Sequence, residues 1–263
     1  MRRPLKTAEF DYELPPELIA QTPIEPRDAA RLLVVRRSDG SLAHRRFCDL
    51  GEYFEPGDLL VLNESRVIPA RLRARKVPTG GRVEVLLLTR QDSQTWEALV
   101  SARRARPGTC LRLEVPPGLT GIEPPEAEVV AETPAGGRVI RFAVPVDELL
   151  ESLGEVPLPP YVHTPLADRE RYQTVYARTR GSVAAPTAGL HFTPHLMDRL
   201  RQQGLQFAPV TLHIGLDTFR PVQEERIEEH AIHREWARLG EAAAEAIAQT
   251  RARDNRVVAV GTT

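Results

Sequence analysis

Five of the seven histidines, His191, His195, His213, His230 and His233, fall between residues 191 and 233, with Glu235 beside the last of them. An imidazole titrates near neutrality, so such residues can act as proton carriers without any fixed spacing. Metal ligation asks for more. His191 and His195 straddle an expected helix start, and His230 and His233 would share a face if residues 223–236 were helical. No H-E-x-x-H pattern occurs, and Glu235, five residues from His230, is a poor match to one helical face. Proton transfer is therefore the favoured chemistry, and no metal site is expected.

Two segments could place these groups. Val210-Thr211-Leu212-His213-Ile214-Gly215 reads as an apolar strand running into a glycine turn, and open α/β sheets bind ligands at such strand ends. Residues 181–194, Gly-Ser-Val-Ala-Ala-Pro-Thr-Ala-Gly-Leu-His-Phe-Thr-Pro, are rich in small side chains that let a backbone approach a ligand. Their Thr193-Pro194 end can cap and begin a helix. A tight structural turn would have the same composition.

The cations are also patterned. Residues 66–106 hold ten Lys or Arg against three Asp or Glu, whereas residues 107–155 hold three against nine. Alternation along residues 70–76 puts Arg71, Arg73 and Arg75 on one face of a strand, and Arg103, Arg104 and Arg106 form a second cluster. A solvated outer face would look similar, but two clusters in one small β region favour nucleic acid. The whole-chain net charge of −1 makes any such surface local.

The elements that must position these residues fall into two textures. Residues 31–37 read as a strand, 38–41 as a hairpin turn, 47–54 as a short helix and 58–62 as a buried strand. From 67 to 144, short strand-like runs alternate with turn clusters, which suggests an antiparallel barrel or sandwich. Helical periodicity returns at 146–153, 194–203 and 240–253, alternating with strands at 206–213 and 256–260. The expected architecture is a mixed α/β domain built from residues 1–66 and 146–263, interrupted by an antiparallel β-barrel at 67–145. The only cysteines, Cys48 and Cys110, form no C-x-x-C pair, no run suits a signal peptide, and none reaches the roughly 18 apolar residues of a membrane span. A soluble cytoplasmic protein is expected.

Several motifs in order carry a resemblance. Phe10-Asp11-Tyr12-Glu13-Leu14-Pro15, Leu62-Asn63-Glu64-Ser65-Arg66-Val67-Ile68-Pro69-Ala70-Arg71, Arg171-Tyr172-Gln173-Thr174-Val175-Tyr176-Ala177, the loop at 184–193, residues 213–221, Glu229-His230 with His233 and Glu235, and the run 258–263 resemble the S-adenosylmethionine:tRNA ribosyltransferase-isomerase family of queuosine biosynthesis. The resemblance covers nearly the whole chain. It implies transfer and isomerisation of the ribosyl part of S-adenosylmethionine onto 7-aminomethyl-7-deazaguanine at the tRNA wobble position, giving epoxyqueuosine with release of adenine and methionine. S-adenosylmethionine is then a co-substrate, no cofactor is implied, the partner is tRNA, and a monomer with no membrane attachment is expected.

The same resemblance suggests roles. His191, His213, His230, His233 and Glu235 are the candidates for base and acid. Pro186, Thr187, Ala188, Gly189 and Phe192, with Gly215 and Asp217, would line the substrate, and Tyr172, Gln173 and Tyr176 are suited to stack on or hydrogen-bond an extracted base. Arg66, Arg71, Arg73, Arg103, Arg104 and Arg106 are candidates for the tRNA backbone. Asp217 stands where the family commonly has a small residue, and family members continue past Gly261-Thr262-Thr263, so the chain is expected to be shortened at its C-terminus. Two other readings remain open: a His-rich metal-dependent hydrolase, and a non-catalytic tRNA-binding module.

Overall fold

The computed structural model describes residues 4–101, 105–134, 136–215, 222, 224–230 and 235–262. The chain begins with an antiparallel hairpin, β1 (Arg31–Val35) and β2 (Leu42–Arg46), followed by a 3-10 helix at Phe47–Tyr53 and by β3 (Leu59–Asn63) and β4 (Ser65–Val67). Six strands come next: β5 (Arg71–Val77), β6 (Arg82–Arg90), β7 (Thr95–Val100), β8 (Cys110–Leu113), β9 (Glu126–Glu132) and β10 (Arg138–Phe142). A short helix α1 (Leu150–Leu153) leads back to β11 (Thr179–Ser182), a 3-10 turn at Thr187–His191, α2 (Pro194–Gln202) and β12 (Gln206–His213). Then follow β13 (Trp236–Arg238), α3 (Glu241–Ala252) and β14 (Val257–Val260). None of the described helices is long and apolar enough to cross a membrane.

The chain divides into two compact units, residues 1–66 with 159–263, and residues 67–158. The second unit is a closed antiparallel barrel of order β10-β7-β6-β5-β8-β9. Its cause is legible in β5, where Leu72 and Ala74 are buried and Arg73 and Arg75 point out; closure removes the sheet edges that would otherwise pair with other chains. The return crossing falls between 158 and 159, later than the 145–146 boundary the sequence suggested. Val146, Leu150 and Leu153 are buried within the barrel unit, and Glu155 exchanges backbone hydrogen bonds with Arg71 at 3.1 and 2.8 Å. The helical pattern at 146–153 yields only the single turn α1, ended by Gly154, which packs so closely on the Pro69 carbonyl that a Cβ would collide with it.

The first unit carries a four-stranded sheet of order β13-β12-β3-β14, in which β12, β3 and β14 are parallel and β13 is antiparallel to β12. Leu59-Leu60-Val61-Leu62 is a continuous apolar run because both faces of β3 are covered. Leu60 and Leu62 pack with Phe47, Phe192 and the α2 residues Leu196, Met197 and Leu200. Leu59 packs the other way, with Ala208 and Ala243 of α3. Helix α2 starts as its sequence dictates: the Thr193 Oγ1 accepts the Leu196 N–H at 3.0 Å, and Pro194 follows. At the other end of the sheet the buried Asp58 carboxylate receives the Arg256 guanidinium at 2.5 Å, which anchors the start of β14 beside β3.

Candidate active site

Strands β3 and β12 end side by side, and their ends are held by a buried polar knot. Asn63 and Ser65 are 4% and 1% exposed. The Asn63 Nδ2 donates to the Leu212 carbonyl at 2.9 Å, while its Oδ1 accepts the Leu212 N–H and the Ser65 N–H at 3.0 Å each and the Ser65 hydroxyl at 2.6 Å. The Ser65 hydroxyl also contacts the Leu212 carbonyl. An amide is the right group here because it offers both a donor and an acceptor to one peptide of the neighbouring strand. Next to it the Glu64 carboxylate accepts from Thr211 at 3.4 Å, and a hollow of about 240 Å³ opens along β12, bordered by Glu64, Thr211, Arg238 and Gly240.

The turn after β11 is sewn to the turn after β12. The fully buried Ser182 hydroxyl accepts the Ile214 N–H at 3.0 Å and donates to the Ala184 carbonyl at 2.7 Å, and the Val183 N–H donates to the Ile214 carbonyl at 2.9 Å. The two segments singled out from sequence therefore touch, and His213 lies at their seam. Gly181, at φ +141°, makes room for it: a Cβ there would come within 2.8 Å of the His213 Cε1 and Nε2. The imidazole stacks on Trp236, with centroids 4.9 Å apart and planes at 20°. Its Nδ1 is buried and has no hydrogen-bond partner among the described residues. Burial lowers the His213 pKa from its ordinary 6.5, so the ring is neutral at pH 7 and can accept a proton. Gly215 in the same turn donates its N–H to Glu235 Oε1 at 2.8 Å.

His191 closes the 3-10 turn at Thr187–His191 and lies against Phe47, ring centroids 5.3 Å apart. Burial lowers its pKa, partly opposed by a hydrogen bond with the Arg27 backbone. Arg27, absent from the sequence-based candidates, ties this turn to another: its guanidinium donates to the carbonyls of Gln173 at 2.6 Å, Glu170 at 2.8 Å and Leu190 at 3.3 Å. Gly189 packs on Thr174 and on the Tyr176 hydroxyl so tightly that a Cβ would overlap them. In this loop Pro186 and Gly189 are buried, Ala188 is half-buried and Thr187 is exposed.

Several candidates turn out to be packing residues. Phe192, expected to face substrate, is fully buried against Phe47 and Tyr176 and presents no free ring face. Tyr172 and Gln173 are buried as well; burial pushes the Tyr172 phenol up to about 12, against the opposing pull of the Ala185 amide. Burial also pushes the Tyr176 phenol up. Aromatic residues in a motif serve packing and contact equally well, and sequence does not separate the two. The helix suggested for residues 223–236 is not formed by the described residues there, which make a 3-10 turn at Ile227–Glu229 and then β13. His230 instead pairs its Nδ1 with Glu224 Oε2 at 2.8 Å. His233 and Asp217 lie outside the described residues. No three His, Cys, Asp or Glu side chains among those described gather as a ligand set.

The candidate tRNA cations are largely engaged. Arg66 pairs with Glu170, Arg71 with Glu84 at 3.6 Å, Arg73 with Glu155 at 2.8 Å and Arg75 with Glu114 at 2.8 Å. Glu114 and Glu155, from the acidic second half of the barrel sequence, thus supply counter-charges to Arg75 and Arg73 of the basic first half. Arg106 is exposed, and Arg103 and Arg104 lie outside the described residues.

The comparison with known proteins decides what this site belongs to. The family model described as "Queuosine biosynthesis protein" matches residues 7–263. The chain belongs to this family. A relative from Moorella thermoacetica, an S-adenosylmethionine:tRNA ribosyltransferase-isomerase, is 55% identical over 98% of this chain and 75% of its own length. One of the same name from Thermus thermophilus is 54% identical over 97% of this chain and 73% of its own length. A solved structure of the S-adenosylmethionine tRNA ribosyltransferase from Thermotoga maritima aligns at 34% identity over 95% of this chain and 68% of its own, with a TM-score of 0.41. As a queuosine biosynthesis family protein, the chain contains the 62–71, 171–177, 184–193 and 213–215 motifs within the stretch matched.

Proposed function

We propose that this family member is an S-adenosylmethionine:tRNA ribosyltransferase-isomerase. It transfers the ribosyl group of S-adenosylmethionine to 7-aminomethyl-7-deazaguanine at the tRNA wobble position and isomerises it, giving epoxyqueuosine, adenine and methionine. The observation that carries the reading is the seam between residues 182–184 and 213–215, which holds a neutral, partly buried imidazole where two family motifs meet. A sulfonium acidifies the hydrogens on the adjacent ribose C5′, and a neutral imidazole is the group to remove one. His213 takes that role, and His191, also kept neutral by burial, is the second proton carrier. Incubation with labelled S-adenosylmethionine and precursor-containing tRNA is expected to release adenine and label the tRNA. Binding of tRNA without adenine release would instead favour the non-catalytic module. The partners are S-adenosylmethionine and tRNA, with no resident cofactor; a cytoplasmic monomer is the setting that fits a tRNA substrate.

If His213 is the base, kcat/KM falls as pH drops through its folded pKa. Because burial depresses that pKa, the acidic limb is expected below 6.5 and should disappear or move in His213 variants. A limb above 7 would assign the base elsewhere. On the barrel, Arg73 is 65% exposed at its side chain and Arg71 only 30%. Arg73→Ala is therefore expected to weaken tRNA binding and to flatten its salt dependence by about one counterion, whereas an unchanged slope removes Arg73 from the interface.

A further inference from the structure

Trp236 has no part in the chemistry assigned so far, yet its placement is unusual for a strand at a sheet edge. It stands directly opposite His213 in the β12–β13 register, and the two rings stack. The residue is nevertheless 52% exposed. One indole face is taken by the imidazole, and no other ring among the described residues lies on it. A side chain that stayed exposed only for lack of packing would be free to swing, but this one is tethered. The preceding Glu235 holds the Gly215 N–H, and the next two residues pair with Leu212 and Thr211 of β12. The result is an aromatic plane stacked on the candidate base, two residues along β13 from Arg238, which borders the hollow.

We propose that Trp236 is the stacking platform for a purine-type ring in this site, and so a substrate-binding residue for the reaction. A large indole face gains most from a flat, π-rich ring, and stacking tolerates many ring edges. The inference rests on the ribosyl-transfer reading, which brings two such rings to the enzyme: the adenine of S-adenosylmethionine and the 7-deazaguanine of the tRNA.

The test uses the full chain and two ligands separately, S-adenosylmethionine and an anticodon stem-loop carrying 7-aminomethyl-7-deazaguanine. Indole fluorescence is expected to be quenched on binding of the ring that stacks, and the quenching to vanish in Trp236→Phe, where the signal comes only from Trp96, buried in the barrel. Calorimetry should give about a tenfold loss of affinity for that ligand in Trp236→Ala and recovery to within about threefold in Trp236→Phe. The arm that changes names the ring. Unchanged affinity for both ligands in Trp236→Ala overturns the platform and leaves the activity reading standing, and so does an equal loss in the Phe and Ala variants, which marks a packing residue. Wild-type protein that binds neither ligand overturns both.

Discussion

His213→Gln is expected to lower kcat by about 10²–10³-fold while tRNA affinity stays within about twofold. Glutamine is close to histidine in size, so the space left by Gly181 stays filled and the neighbouring turns keep their hydrogen bonds to Ser182, but no group remains that can take a proton near neutral pH. Burial lowers the imidazole's pKa and so favours its neutral form, which the uncharged glutamine amide matches in charge. Single-turnover adenine release, set beside tRNA binding measured by filter retention, separates the two effects. Equal losses in turnover and binding would indicate a damaged fold, and turnover within threefold of wild type would remove His213 from the chemistry.

Asn63→Ala should cost about 2–4 kcal/mol of stability, the largest loss expected from a single polar residue in this sheet. The substitution strands the Leu212 N–H and the Ser65 N–H beside the buried Ser65, and leaves the Leu212 carbonyl with the Ser65 hydroxyl as its donor in place of two. Unmet buried donors and acceptors each forfeit their desolvation energy, and here they share one network. Asn63→Asp should fall between wild type and Ala, since a carboxylate can still accept but cannot donate to Leu212. Urea unfolding, followed by a probe in the sheet unit so that the barrel does not blur the transition, gives the number. A loss below about 0.5 kcal/mol would mean that β3 and β12 are held at their ends by packing alone.

Much of the scaffold was legible because it follows from local periodicity. The strand at 206–213 is the observed β12, and the helix at 194–203 is α2 within one residue, because an apolar period and a Thr-Pro start leave little choice. The barrel was legible as a succession of turns, though only side-chain accounting around α1 reveals that residues 146–158 belong with it. The site was legible in part. His213 and the small-residue loop stood out by type, and glycine at 181 has its reason in the imidazole it accommodates. Arg27, Asn63, Ser65, Ser182 and Trp236 did not, because their significance is a partner more than a hundred residues away in sequence for the first three, one 32 residues away for Ser182, and a cross-strand neighbour for Trp236. A polar Asn-Glu-Ser step directly after a run of buried leucines was the one signal that could have pointed to the knot at the sheet's end.

The mutual backbone bonds between Arg71 and Glu155 have a consequence for how so large an insertion is tolerated. Cα atoms of directly opposed antiparallel residues lie about 4.5–5.5 Å apart, so the bridge from the first residue of β5 to Glu155, just past α1, brings the unit's entry and exit together. To the rest of the polypeptide, residues 67–158 then behave like a short tether. The entropy of closing that long excursion is offset inside the module that makes it, and the host sheet bears little more than the cost of an ordinary connection.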